Sequence, residues 1–176
     1  VRLMNPGSEK WIGVLGGGQL GRMLALEARR MHFRVVNWTG GDNSGASDFG
    51  DLVFYDAFDS ESALEKFLER TDVATVEFEN VPRDLLETIE QQMTIRPGSQ
   101  AVATCQHRER EKTFLAKHGI PCAGFHLIDS ADSLINSLAK LPGDAILKTA
   151  EFGYDGKGQL PLKQSAAPDE LREIWK

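Results

Sequence analysis

A short apolar run that breaks into glycines and resumes as a helix commits the start of this chain to one kind of architecture. Trp11-Ile-Gly-Val-Leu15 is strand-like, Gly16-Gly-Gly-Gln-Leu-Gly21 follows it, and Leu20, Met23, Leu24 and Ala28 then recur at helical spacing. A strand that turns through glycines into a helix opens a βαβ unit, whose next strand lies parallel to the first and needs helices to cover the sheet. Gly16, Gly18 and Gly21 keep the G-x-G-x-x-G register, and the helix N-terminus behind them favours an anion.

Phe33 to Trp38 reads as the second strand. A nicotinamide-dependent oxidoreductase requires an acidic residue near its end to bind ribose hydroxyls. The chain offers Asn37, Trp38 and Thr39 there, while Asp42 lies in the glycine- and serine-rich segment Gly40 to Ser47 and reads as a turn residue. Leu52 to Tyr55 is a third strand, and Ser62-Ala-Leu-Glu65 reads as a capping box before a helix with Leu64, Phe67 and Leu68 on one face. Asp72 to Phe78 is a fourth strand ending in Glu77, Glu79 and Asn80. Ligands of open α/β sheets gather at such carboxyl ends. Glu77 and Glu79, two apart, would share one face of a strand. Two readings stay open for them: a base or substrate ligand, or an acidic strand end before Pro82 at the first position of a helix. That helix buries Leu85, Leu86 and Ile89, and Met93 to Arg96 forms a last short strand before Pro97-Gly98.

A new section begins near Ser99, with helices around Ala101 to Ala103 and from Arg108 to Lys117, stopped at Gly119-Ile-Pro121. Arg108, Arg110 and Lys112 beside Glu109 and Glu111 read most simply as solvated pairs on a helix face. Phe125 to Ile128 is strand-like, and Ser133 to Leu141 is an amphipathic helix. Ala145-Ile-Leu147 then delivers Lys148 into a loop carrying Gly153, Gly156 and Gly158. A lysine on a stiff strand can hold a charge against phosphate oxygens, and close glycines let backbone N–H groups approach the same anion. This reads as a nucleotide clamp. It is not a P-loop, because Gly156-Lys157 is followed by Gly158. The alternative is a plain glycine-rich hairpin, against which Tyr154 and Asp155 count, since a mere turn has little need of either. Gln159 to Lys163 is the returning strand, and Pro168 opens a helix with Leu171, Ile174 and Trp175. The chain stops inside that helix, as expected of a fragment.

Charge and cysteine usage narrow the classes further. A formal net charge of −6 argues against a nucleic-acid surface, which needs a basic excess to neutralise phosphates. Cys105 and Cys122 form no C-x-x-C pair, so a disulfide framework or zinc site is not expected and a reduced, cytoplasmic compartment fits best. The histidines His32, His107, His118 and His126 lack the spacing of metal ligands and read as surface or capping residues. No stretch approaches a membrane span.

Four stretches together resemble one family. They are Gly16-Gly-Gly-Gln-Leu-Gly-Arg-Met23, Thr75-Val-Glu-Phe-Glu-Asn-Val-Pro82, Gln106-His-Arg-Glu-Arg-Glu-Lys112, and Leu147-Lys-Thr149 with Gly153-Tyr-Asp-Gly-Lys-Gly-Gln159. In order and spacing they resemble the ATP-grasp ligases, most closely the N5-carboxyaminoimidazole ribonucleotide synthetase family, over nearly the whole chain. The resemblance implies an α/β fold: a Rossmann-like pre-ATP-grasp domain with a parallel sheet over residues 1–100, then over residues 101–176 a linker helix and truncated small α+β lid subdomain. The large ATP-grasp subdomain, with its Mg²⁺ ligands, is missing. The implied reaction is ATP-dependent carboxylation of 5-aminoimidazole ribonucleotide with bicarbonate in purine biosynthesis, by a cytoplasmic enzyme that is a homodimer when complete. By the same resemblance Arg108 and Lys148 contact ATP phosphates, and Gly153, Tyr154, Asp155, Gly156, Lys157, Gly158 and Gln159 form the loop that covers them. Glu77, Tyr154 and Asp155 are the implied catalytic residues around bicarbonate and the aminoimidazole, Glu77 also binding substrate. Gly18, Gln19 and Leu20 lie beside the ribose phosphate. This moves Glu77 toward function and Arg108 away from a solvated face. Asn37 to Ser44 departs from the Asp-Pro-rich turn common in the family. Another ATP-grasp carboxylase or ligase, a nicotinamide-dependent oxidoreductase and a noncatalytic nucleotide-binding module are the alternatives.

Overall fold

The computed structural model describes residues 9–41, 49–151, 153 and 158–176. The expectations placed on Asp42, Tyr154, Asp155, Gly156 and Lys157 lie outside them. The chain divides into two compact units, Val1–Ala103 and Thr104–Lys176.

In the first unit β1 (Trp11–Leu15), α1 (Gln19–Arg30), β2 (Arg34–Trp38), β3 (Leu52–Phe54), α2 (Glu61–Arg70), β4 (Val73–Val76), α3 (Arg83–Gln92) and β5 (Thr94–Ile95) alternate, and α4 (Ser99–Cys105) follows. Every strand pairing is parallel, in the order β3-β2-β1-β4-β5. Both faces of such a sheet must be covered, so adjacent strand residues are buried on opposite sides. Val14 and Val35 pack with Ala25 and Ala28 of α1. Their neighbours Leu15 and Val36 pack on the other face with Phe67 of α2 and Leu86 and Ile89 of α3. The chain builds outward from β1 to β2 and β3, then returns to place β4 on the other side of β1. That reversal leaves a crevice at the carboxyl ends of β1 and β4.

Two aspartates fasten the opposite ends of these strands. Asp72 accepts from the Trp11 N–H at 2.9 Å and donates its own N–H to the Trp11 carbonyl at 2.9 Å. Asp51 repeats the pattern on β2, accepting from the Val35 N–H at 2.9 Å while its N–H meets the Val35 carbonyl at 2.9 Å. Burial works against the Asp51 charge, yet hydrogen bonds from Arg34 and the Val35 N–H, with Arg29 nearby, hold its carboxyl below the ordinary value.

Three local expectations are corrected. The α2 cap is Ser60, whose hydroxyl accepts from the Ala63 N–H, so Ser62 lies inside the helix. Strand β4 ends at Val76, and the N–H groups of Glu77 and Phe78 both reach the Leu15 carbonyl, so Glu77 and Glu79 do not share a strand face. Pro82 is the cap before α3 and not its first helical residue.

The second unit contains α5 (Arg108–Lys117), α6 (Ala131–Leu138), β6 (Ala145–Lys148), β7 (Gln159–Leu162) and α7 (Pro168–Trp175). The strands form an antiparallel hairpin on which Leu134 and Leu138 of α6 and Leu171 of α7 meet Leu162. Ser130 and Ser133 form a capping box that starts α6 two residues earlier than its apolar spacing indicates. Phe125 to Ile128 is no strand: it has no ladder partner among the described residues, and Phe125 and Leu127 are exposed.

Candidate functional site

The glycine turn after β1 is shaped around a carboxylate of the chain itself. The Gly18 N–H, at the N-terminal cap of α1, donates to Glu77 Oε2 at 3.1 Å. A Cβ on Gly16 would lie 2.3 Å from Glu77 Oε2, and one on Gly18 would lie 2.7 Å from Oε1. Both are far inside contact distance, so any side chain here would expel Glu77. Gly16 also has φ of 131°, a conformation that excludes L side chains. The carboxylate is thus held in the crevice where the strand order reverses, half-buried, beside the positive end of α1.

This arrangement removes the dinucleotide reading. In that role the glycine turn and helix N-terminus receive a pyrophosphate, but here Glu77 takes the Gly18 donor. The end of β2 is closed as well. Trp38 is fully buried with its indole N–H on the Asp56 carbonyl at 2.8 Å, and Asn37 is fully buried. The first-turn N–H groups of Gln19, Leu20 and Gly21 have no partner within the helix, and α1 has no side-chain cap. They can serve an anion next to Glu77. Of the two acidic candidates, Glu79 is exposed and outside the cradle.

In the second unit, Lys148 and Gln159 form the last pair of the hairpin. The Thr149 N–H donates to the Gly158 carbonyl at 2.9 Å, closing the base of the glycine loop. Gly158 has φ of 68°, and a Cβ there would lie 2.5 Å from Thr149 Oγ1. Side chains on one face of the hairpin enter the small core, and Ile146, Lys148, Gln159 and Pro161 share the other, exposed face. A cation beside an apolar strip suits a ligand with a phosphate at one end and a flat ring at the other. The apolar pair Ile146 and Pro161 escaped the sequence reading, because alternation alone does not reveal which face lacks a cover.

Helix α5 is tied to the strand end that follows Lys148. The Arg108 N–H donates to the Ala150 carbonyl at 2.9 Å, which brings Arg108 and Lys148 onto adjoining stretches of backbone. His107 caps α5 by accepting the Glu109 N–H on Nδ1 at 3.2 Å. Arg110 reaches Glu151 at 3.3 Å and not a glutamate of its own helix. An exposed pair of this kind contributes about 0–1 kcal/mol, so its effect is placement more than stability. Arg108 and Lys148 form no ion pair with any described residue, leaving both charges available to a ligand. Gly153 is half-buried, and Tyr154 to Lys157 lie outside the described residues.

Comparison with known proteins gives each of these two regions a family context. Residues 9–106 match the model of the ribonucleotide synthetase preATP-grasp domain, and residues 113–176 match that of the ATP-grasp domain. An N5-carboxyaminoimidazole ribonucleotide synthase of Brucella melitensis is 38% identical over 159 residues, covering 90% of this chain and 43% of the relative. The N5-carboxyaminoimidazole synthetase of Staphylococcus aureus, solved with ADP, superposes with a TM-score of 0.83 at 31% identity, over 94% of this chain and 44% of that one. The Aspergillus clavatus synthase, solved with ADP and 5-aminoimidazole ribonucleotide, gives 0.75 at 28% identity, over 95% and 43%. The chain therefore spans less than half the length of these relatives. With a parallel sheet whose order reverses beside a carboxylate-bearing glycine turn, and with more than half its length matched by one domain model, the chain belongs to the ribonucleotide synthetase preATP-grasp family.

Proposed function

We propose that this chain is the pre-ATP-grasp domain, residues 1–100, and the linker helix and truncated lid, residues 101–176, of a longer ATP-dependent carbon–nitrogen ligase. Its reaction is carboxylation of 5-aminoimidazole ribonucleotide with bicarbonate to N5-carboxyaminoimidazole ribonucleotide, a step of purine biosynthesis. The observation that carries this reading is the Glu77 carboxylate set in its glycine cradle at the sheet's reversal point. A fixed negative charge there suits a substrate with an amine and ribose hydroxyls, and the adjacent donors of Gln19 and Leu20 suit its phosphate.

In this reaction a bicarbonate oxygen attacks the γ-phosphorus of ATP, and the bond to ADP breaks. The resulting carboxyphosphate releases carbon dioxide and phosphate. The exocyclic amine bonds to the carbon and loses a proton. Lys148 and Arg108 place positive charge on the ATP phosphates, and the resemblance assigns the loop from Gly153 to Gln159 to covering them and excluding water, and Tyr154 and Asp155 to the chemistry at bicarbonate and the aminoimidazole. Glu77 orients the aminoimidazole ribonucleotide. Among the described residues no group of three carboxylate, imidazole or thiolate side chains is placed to hold a metal ion. The resemblance assigns the Mg²⁺ ligands to the remainder of the ligase, and no step here runs through them. Two exposed free cysteines suit a reducing, cytoplasmic setting, and the family resemblance supports a homodimer.

Glu77→Gln tests the assignment. Glutamine can still accept the Gly18 N–H but carries no charge, so in the complete ligase kcat/KM for aminoimidazole ribonucleotide should fall roughly 10- to 100-fold. The melting temperature should stay within about 2 °C. Normal turnover in this variant would return Glu77 to a structural role.

A further inference from the structure

Asn37 is fully buried in β2, on the same face as Val35, and its amide is only half satisfied. Its Nδ2–H donates to the Gly16 carbonyl at 3.4 Å, while Oδ1 has no hydrogen-bond partner among the described residues. A Cβ on Gly50 would come 2.6 Å from that oxygen, so the neighbouring chain has room for the amide only because residue 50 is glycine. Leucine would occupy similar space with no polar side-chain atom to bury, at the loss of one long bond to the Gly16 carbonyl, and burying an unpaired amide oxygen disfavours the folded state. For the fold alone, asparagine is the poorer choice. Among the described residues, the one polar contact of its side chain goes to the turn that holds Glu77.

Gly16 is gripped by β2 at both ends: its N–H donates to the Trp38 carbonyl at 2.8 Å, and its carbonyl receives Asn37. From Gly16 the chain runs through Gly17 to the Gly18 N–H, which holds Glu77 Oε2. We infer that Asn37 is a positioning residue, which orients the Gly16 peptide and thereby the N–H that aims the Glu77 carboxylate. The geometric relay stands on these contacts. Its consequence for turnover rests on the function proposed above.

The test uses amide NMR of the 176-residue chain at one fixed pH, following hydrogen exchange at the Gly18 N–H. Glu77→Ala, which removes the acceptor, should speed exchange at Gly18, which assigns its protection to Glu77. Two further variants should keep the rest of the spectrum: Asn37→Leu, which matches the shape, and Asn37→Ser, whose hydroxyl is too short to reach Gly16. In both, exchange at Gly18 should speed up about twofold or more, because a hydrogen bond weakens steeply as it loses alignment. Asn37→Leu should melt within about 2 °C of the parent chain, which separates placement from stability. Unchanged Gly18 exchange in both variants, or exchange that Glu77→Ala leaves unaltered, overturns the relay. Failure of the relay leaves the Glu77→Gln turnover result untouched, so the two readings fall separately.

Discussion

Gly16→Ala should destabilise the first unit by roughly 2–5 kcal/mol, combining backbone strain with overpacking of a closed site. The added methyl would lie 2.3 Å from Glu77 Oε2 and 2.9 Å from the Phe78 backbone nitrogen, and it would force alanine to a φ of 131°. The Phe78 backbone cannot yield cheaply, and the Glu77 carboxylate can swing away only by leaving the cradle. The Phe78 nitrogen belongs to backbone bonded to the Leu15 carbonyl at 3.2 Å, and Glu77 is held by Gly18. A loss of this size in a domain of about 100 residues lowers the melting temperature by on the order of 10 °C or more. Gly21→Ala is the internal control. Its Cβ would meet Glu77 Cγ at 3.5 Å, an ordinary contact, inside helix α1. Alanine there also gains up to about 1 kcal/mol of helix propensity, so the melting temperature should hold or rise. Thermal unfolding of both variants separates the cradle from a general intolerance of larger residues. Equal effects at Gly16 and Gly21 would contradict the geometry.

The second large effect is expected at Lys148. Its side chain stands on the exposed face of the hairpin and forms no ion pair with a described residue. Its removal should therefore change stability by no more than about 0.5 kcal/mol. Loss of a charged hydrogen bond to phosphate costs about 1.5–3 kcal/mol, so Lys148→Ala should weaken ATP binding by the complete ligase on the order of 10- to 100-fold. Lys148→Arg should restore only part of this, because a planar fork does not replace a compact ammonium. Calorimetric titration of ATP reads both numbers. Unchanged affinity in Lys148→Ala would remove the lysine from the nucleotide site.

The parallel sheet was legible because its causes are local. Trp11 to Leu15 is apolar, the glycines break it, and the α1 pattern resumes at once. Misplaced boundaries had competing local signals. Ser60 and Ser62 are both capping types, and only Ser62 has a glutamate three residues on, so the sequence favours Ser62 while the geometry selects Ser60. Phe125 to Ile128 has the composition of a strand, but a strand also requires a partner, which composition does not supply.

The candidate site could be nominated residue by residue from the sequence, but its geometry could not. Glu77 could be picked from its position after β4, yet its partner Gly18 lies 59 residues away, and nothing local announces that the glycines are shaped for a carboxylate. Asn37 drew notice for the acid it is not. Its burial and its bond to Gly16 emerge only when β1 and β2 are side by side. The sequence leaves His107 as a surface or capping residue, and it caps α5, but the meeting of Arg110 with Glu151 spans 41 residues and is hidden behind the nearer helix pairs.

Phosphate release tests the proposed carboxylation most directly. The complete ligase would be given ATP with 5-aminoimidazole ribonucleotide and bicarbonate together, then with each omitted in turn, and the 176-residue chain would be assayed in parallel. The account predicts release that needs bicarbonate, is strongly promoted by the aminoimidazole ribonucleotide and matches the carboxylated product one for one, with no release by the 176-residue chain alone. Release by the complete ligase that is indifferent to bicarbonate, or robust aminoimidazole-dependent release by the short chain, would contradict it.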